Sequence, residues 1–518
     1  MRVNYQTVIV FIVYLLGMLA IGVYFWKKNK NLNDYVLGGR GLNVWVAALS
    51  AQASDMSGWL LMGLPGLAFL YYLTEGGAMG ASYAGMGEAI WTAIGLAAGT
   101  YLNWLLVAKR LRKYTQVAGD SITMPDYFQN RFHSKNNALR IISALFILVF
   151  FLLYTASGFA AGSKLFQMVF GLDYKTALII GAVIIISYTF LGGFLAVCWT
   201  DLIQGLLMFA AIIITPIVCV FRLGGIGETV SMFHANNLEW GVQAHFLPHT
   251  AAGTLSLTVL FSGLAWGLGY FGQPHILSRF MAIRSSKDVR PARIIAMIWV
   301  VLSLAAAVVV GIVGTLYLQK YHPAGIEMLL ADREKIFMVL VTNLFPALIA
   351  GVLLTAILAA IMSTADSQLL VTSSCVANDF YRALFKKDAS QKELLWVSRI
   401  TVIVVSVIAV LIALDPDSSV FALVSNAWAG FGATFGPAIL ISLYWKRMTT
   451  KGALAGIISG GVTVILWLVL KAYTGITLYE MIPGVAVSTL FIFIVSLLDK
   501  KPEQAVIDEF DSVKNTEI

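Results

Sequence analysis

Apolar residues run along this chain in blocks long enough to cross a bilayer, separated by short polar connections. A crossing needs about 20 such residues. The pattern predicts thirteen spans, at roughly 4–26, 43–73, 77–108, 140–167, 176–198, 201–221, 253–277, 294–319, 337–377, 400–414, 420–445, 452–472 and 481–498. The ninth is too long for one perpendicular crossing. Pro346 near its start predicts a short preceding helix and a break. The expected fold class is an all-α polytopic membrane protein, because a helix satisfies its own backbone in hydrocarbon.

Two spans break the pattern. Residues 50–65 of span 2 read SAQASDMSGWLLMGLP, with Gln52, Ser54, Asp55 and Ser57 together, then Gly58, Gly63 and Pro65. Residues 260–275 of span 7 read LFSGLAWGLGYFGQPH, with Gly263, Gly267, Gly269, Gly272 and Pro274. Glycine and proline free backbone groups that hydrocarbon cannot satisfy, so such stretches belong against protein or a wet cavity. An Asp at this depth is costly and marks a functional site by default. The two spans lie five apart and run in opposite directions. That placement points to a transporter site between two halves, against the plainer reading that membrane helices use glycine for close packing.

Composition agrees with the pattern. Of 518 residues, 59% are hydrophobic and 12% charged, so no soluble domain is expected. The net charge of +8 does not point to nucleic acid. Most basic residues fall in alternate connections, including Lys27, Lys28, Lys30 and Arg40, the 109–140 group, Arg279–Arg293, Arg382–Arg399, and Lys446–Lys451. The positive-inside rule then puts the amino terminus outside and the carboxyl terminus in the cytoplasm. The first span is too long for a cleavable signal, and its basic cluster follows it. The tail after Leu498 is polar and mixed in charge, and is expected to be solvated. Cys198, Cys219 and Cys375 lack ligand spacing and read as core residues. No metal-binding or nucleophile–base constellation is evident, so an enzyme is not expected.

Three further features carry chemistry. In residues 356–370, AILAAIMSTADSQLL, Ala360, Ser363 and Thr364 stand at i, i+3 and i+4, on one helix face. Two hydroxyls and a carbonyl suit a small hard cation such as Na+, which prefers oxygen. Loosened carbonyls of Ala53 and Met56 would complete its shell. The plainer reading is that these hydroxyls bond to helix backbone. Asp366 follows, with its role open. Asp201, after Trp199 and Thr200, reads either as a helix N-cap or as part of an ion exit path, and from the residues alone the cap is favoured. Trp59, Tyr154, Trp266 and Tyr270 form a candidate aromatic wall for a small solute, with Trp266 and Tyr270 on one face if that stretch is helical.

Five motifs together resemble the sodium:solute symporter family, and within it the sodium/proline carriers. They are SDMSGWLLMGLPG (54–66), YTASGFAAG (154–162), WTDLIQG (199–205), AWGLGYFGQPH (265–275) and AAIMSTADSQLL (359–370). The resemblance covers almost the whole chain. It implies thirteen transmembrane helices with a LeuT-like core of two inverted five-helix repeats. Spans 2–6 (43–221) would form one repeat. The second would lie in 222–445, with the outer loop and spans 7–11. The first helix and inner loop (1–42), two peripheral helices (446–498) and a cytoplasmic tail (499–518) would flank them. It implies a Na+ site from the carbonyls of Ala53, Met56 and Ala360 and the hydroxyls of Ser363 and Thr364. It relates Ser57, Gly58, Trp59, Tyr154, Trp266, Tyr270 and Pro274 to substrate, and Asp55, Asp201, Arg40 and Asp366 to coupling and the ion path. The expected activity is Na+-coupled uptake of L-proline by alternating access in a bacterial cell membrane. Another small organic solute, or proton coupling, is the alternative. Partners would be L-proline, Na+ and the lipid bilayer, with no nucleic acid and no obligate protein partner.

Overall fold

The computed structural model describes residues 5–26, 32–69, 72–73, 79–80, 83–191, 193–239, 246–249, 254–416 and 419–516. Within these, ten helices are long and apolar enough to cross a membrane. They correspond to spans 1, 3, 4, 6 and 8–13. The three remaining spans are informative. Span 5 is a shorter apolar helix, Tyr174–Leu191, and spans 2 and 7 are the two interrupted ones. Two-residue strands, Tyr72–Leu73 and Met79–Gly80, pair between spans 2 and 3.

Span 2 is helical over Val44–Asp55, breaks at Met56–Ser57, and resumes as a π turn, Trp59–Gly63, and a short helix, Leu64–Leu67. Span 7 is helical over Leu257–Ala265, narrows to a 3₁₀ segment, Trp266–Gly272, and resumes at Pro274–Ala282. Its glycines serve approach. A Cβ on Gly99 of span 3 would sit 2.2 Å from the Gly267 carbonyl, and one on Gly272 would sit 2.2 Å from that of Phe431 in span 11. Backbones this close leave no room for a side chain.

The expected break before span 9 is present. A helix, Ile336–Leu344, ends at extended Phe345, and Pro346 caps the long helix Ala347–Cys375. Spans 9 and 11 are the most buried of the ten and span 1 the least, so spans 9 and 11 form the centre of the bundle. The connection between spans 8 and 9 is pinned at Glu334. Its carboxylate takes Lys164 Nζ at 2.7 Å and the N–H groups of Val420 and Phe421 at 3.0 and 2.9 Å. A carboxylate at a helix N-terminus satisfies donors that the helix cannot.

Several expectations need correction. Span 6 begins at Phe194, after Gly193 at φ 130°, and runs to Leu223. Asp201 therefore lies two turns inside the helix and is no N-cap. Arg279 is no loop charge, because it is wholly buried on helix Pro274–Ala282. Lys109, Arg110 and Lys113 sit on a helical extension of span 3, Lys109–Val117. The tail is not simply solvated. Its helix Gln504–Ser512 buries Val506 and Phe510, and Phe510 packs edge-on to Tyr114 at 6.1 Å. An apolar residue every fourth position supplied enough of a face to dock. Cys198, Cys219 and Cys375 are free and buried, as expected. Lys27, Lys28 and Lys30 lie outside the described residues.

Candidate functional site

The break in span 2 faces the middle of span 9. Ser363 Oγ lies 2.8 Å from the carbonyl oxygen of Ala53 and 3.1 Å from that of Ala360. Thr364 Oγ1 lies 3.4 Å from Ala53 O. Four of the five oxygens expected of a cation site thus converge. Met56, the fifth, is the residue at which the chain leaves the helix, at φ −82° and ψ 78°. As the structure stands, both hydroxyls donate to carbonyls, the plainer of the two readings. Turning those two O–H bonds away would leave the same oxygens facing one point.

Asp55 closes the helix end and gathers the aromatic residues. Its carbonyl accepts from Tyr154 Oη and Trp59 Nε1, each at 3.1 Å. Its carboxylate Oδ2 accepts from Tyr270 Oη at 2.6 Å, while Oδ1 is buried without a protein partner. Ser57 Oγ lies 3.5 Å from the Trp59 N–H. Gly58 is packed so that a Cβ would meet Ala161 Cβ at 3.0 Å. A larger residue there would push span 2 from span 4.

Trp266 and Tyr270 do not share a face. A 3₁₀ segment has three residues per turn, so positions four apart diverge. Tyr270 reaches Asp55, whereas the Trp266 ring stacks between Phe421 at 5.0 Å and Tyr479 at 5.5 Å. Asn103 Nδ2 donates to Tyr270 O at 3.0 Å, and Trp428 Nε1 to Trp266 O at 2.8 Å. These bonds satisfy carbonyls that the narrowed helix leaves free. Pro274 lies past the break and lines a small cavity with Val36, Ser278, Met281, Leu370 and Ser374.

Beyond the break, on the side of the tail, Asp201 meets Arg279. Asp201 Oδ2 lies 3.1 Å from Arg279 Nη2 and accepts from Ser50 Oγ at 2.6 Å. Arg279 also donates to Ser50 Oγ, Ser367 Oγ and His275 O, at 3.0, 2.5 and 2.8 Å. One guanidinium thereby ties spans 2, 6, 7 and 9. Asp366 is buried beside it and accepts from Ser367 Oγ at 3.4 Å. Arg40 bonds Asp120 Oδ1 at 2.9 Å and Met281 O and Ser121 O at 2.8 Å. Burial lowers its pKa, and Asp120 counters that shift.

Sequence reasoning missed Arg279, Ser50 and Ser367, and the partners Tyr479, Phe421, Trp428 and Asn103. Arg279 carried one signal, since it follows Pro274 at the break of span 7 by five positions. Tyr479 carried none, lying in a connection far along the chain.

Two interrupted helices against a continuous one, with oxygens converging at the break, are the construction of a secondary transporter. The profile of the sodium:solute symporter family matches residues 35–460. The chain belongs to that family, and is a carrier rather than an enzyme. It is 48% identical over 510 residues to the sodium/proline symporter of Salmonella typhimurium, covering 98% of this chain and 96% of that one. It is 48% identical over 501 residues to the high-affinity proline transporter PutP of Bacillus subtilis, covering 96% and 99%. A solved structure of a Na+-coupled sialic acid symporter, in a substrate-bound outward-open state, superposes with a TM-score of 0.77 at 22% identity. It covers 97% of this chain and 100% of that one. That likeness shows the fold.

Proposed function

We propose that this chain carries L-proline into the cell with Na+ by alternating access. The observation that carries the reading is the convergence of the Ser363 and Thr364 hydroxyls on the Ala53 carbonyl at the break of span 2. The curated relatives, named as proline transporters at nearly half identity over almost the full length, support the solute.

Na+ binds between spans 2 and 9, held by the carbonyls of Ala53, Met56 and Ala360 and the hydroxyls of Ser363 and Thr364. Binding draws the two spans together and orders residues 56–59. The N–H groups at the break, of Ser57, Gly58 and Trp59, take the substrate carboxylate, those of Ser57 and Trp59 giving up their bonds to Asp55 O and Ser57 Oγ. The ring of proline packs by Tyr154, Trp266 and Tyr270, with Pro274 on its way out. Asp55 lies between ion and solute and couples them, its buried Oδ1 open to a cation. Arg40, Asp201 and Asp366 line the route by which the ion leaves. The ion shifts the equilibrium only as far as it binds the two facings unequally.

The driving force is adequate. One charge gains about 2.3 kcal/mol per 100 mV, and a tenfold Na+ gradient adds about 1.4 kcal/mol. Together they sustain accumulation of roughly a few hundredfold at one ion per solute.

The basic connections support an amino terminus outside and a cytoplasmic tail. The paired breaks in spans 2 and 7 support repeats of spans 2–6 and 7–11. The test is uptake of labelled proline into vesicles of the purified chain. An imposed Na+ gradient at constant pH drives uptake. Uptake that persists without Na+ and follows a proton gradient overturns the reading, as does a failure of proline to compete for the site.

A further inference from the structure

We propose that a groove beside the tail binds the headgroup of an anionic phospholipid. The groove is lined by Leu105, Lys109, Arg110, Lys113, Tyr444 and Lys514, among others, and among the described residues no carboxylate lines it. Its chemistry is split by depth. Leu105 and Tyr444 are 43% and 48% exposed. Lys109 follows Leu105 by one helical turn, so apolar surface gives way to cationic surface within that turn. Acyl chains would lie along the first and a phosphate among the second. Basic pockets at this level of a membrane protein are where anionic headgroups settle.

The four cations keep their charge open. Among the described residues, none of them forms an ion pair. Two charges of the same region do, Lys446 with Asp511 at 3.3 Å and Lys135 with Glu503 at 3.4 Å. The walls are also built rather than loose. Arg110 is held over the rings of Tyr444 and Phe510, at 4.5 and 5.4 Å. Tyr444 Oη donates to Leu106 O at 2.7 Å, and Lys113 Nζ reaches Lys514 O at 3.4 Å. A bound headgroup would join span 3, the end of span 11 and the tail. A soluble anion would use the cations and leave the leucine face unmatched, which is why the occupant is a lipid. On the topology proposed above, it belongs to the cytoplasmic leaflet.

The full-length protein in bilayers of phosphatidylcholine with phosphatidylglycerol tests this, using spin-labelled forms of each lipid. Retention is read without transport, so the result is independent of the solute and ion. The native chain should retain phosphatidylglycerol over phosphatidylcholine severalfold. Each basic residue near an anionic surface contributes about fivefold. Lys109→Gln and Lys514→Gln, both exposed and each made singly to spare the fold, should each lower the preference severalfold. Lys387→Gln with Lys392→Gln, exposed charges outside the groove, should keep it. Equal preference in native and groove variants overturns the proposal. So does equal loss in the control pair, which would mean diffuse surface charge. Inorganic phosphate that displaces the label as well as unlabelled phosphatidylglycerol does would mark a soluble-anion site and overturn the lipid assignment.

Discussion

The hydroxyl of Ser363 lies 2.8 Å from the carbonyl oxygen of Ala53, across 310 positions of sequence. Ala53 is in the last turn before the break of span 2. Its carbonyl is buried, and a hydroxyl of span 9 meets it instead of water. A cation entering here would exchange hydroxyl donors for its own charge without moving either helix far.

Removing the hydroxyls should therefore weaken the proposed ion site more than the fold. Ser363→Ala and Thr364→Ala should each raise the Na+ concentration for half-maximal uptake at least about tenfold, about 1.4 kcal/mol. Thr364→Ser, which keeps the oxygen, should stay near the native value. Uptake measured against Na+, with the amount in the membrane held equal, checks this. Unchanged Na+ dependence in both alanine variants removes the assignment.

Trp266 sits between Phe421 and Tyr479 and next to the proposed solute pocket. Trp266→Ala should weaken proline binding and also leave a cavity, at a cost of about 3–5 kcal/mol. Trp266→Phe keeps most of the stack. It should raise the proline concentration for half-maximal uptake while the melting temperature holds within a few degrees. An unaltered proline dependence in the Phe variant would separate this ring from the solute.

The Asp201–Arg279 pair is wholly buried. Breaking one member strands the other charge, which costs about 3–5 kcal/mol. Arg279→Gln and Asp201→Asn should each lower the melting temperature of the purified chain markedly. The double variant should be less destabilised than the sum of the two. Additive losses would mean that the two groups do not act as a pair.

Phe510 docks the tail on Tyr114 and Arg131, whose guanidinium lies 5.0 Å from its ring. Phe510→Ala should free residues after Leu498. Limited proteolysis should then clip the tail at a faster rate, with the rest of the bundle intact. Equal cleavage rates in native and variant chains would contradict a docked tail.

Much of this architecture was legible along the chain. The all-helical class and ten of the expected spans follow from apolar blocks whose length the bilayer sets. The two interruptions follow from glycine and proline, whose backbone effects are local. The spacing of Ala360, Ser363 and Thr364 placed them on one face before any partner was known. Other features depended on what packs against what. Asp201 read as a cap because the apolar pattern gave no sign that the helix had already begun at Phe194. Arg279 read as a loop charge because nothing local says that Asp201, Ser50 and Ser367 enclose it. Trp266 and Tyr270 parted because close backbone contact through Gly267 and Gly272 accompanies a narrowed helix. Periodicity and residue type act over a turn or two, so the sequence by itself determined the spans, their breaks and the oxygen-bearing face. Which oxygens meet, and which charges are buried together, is set by contacts between distant helices, and only the tertiary structure decided those.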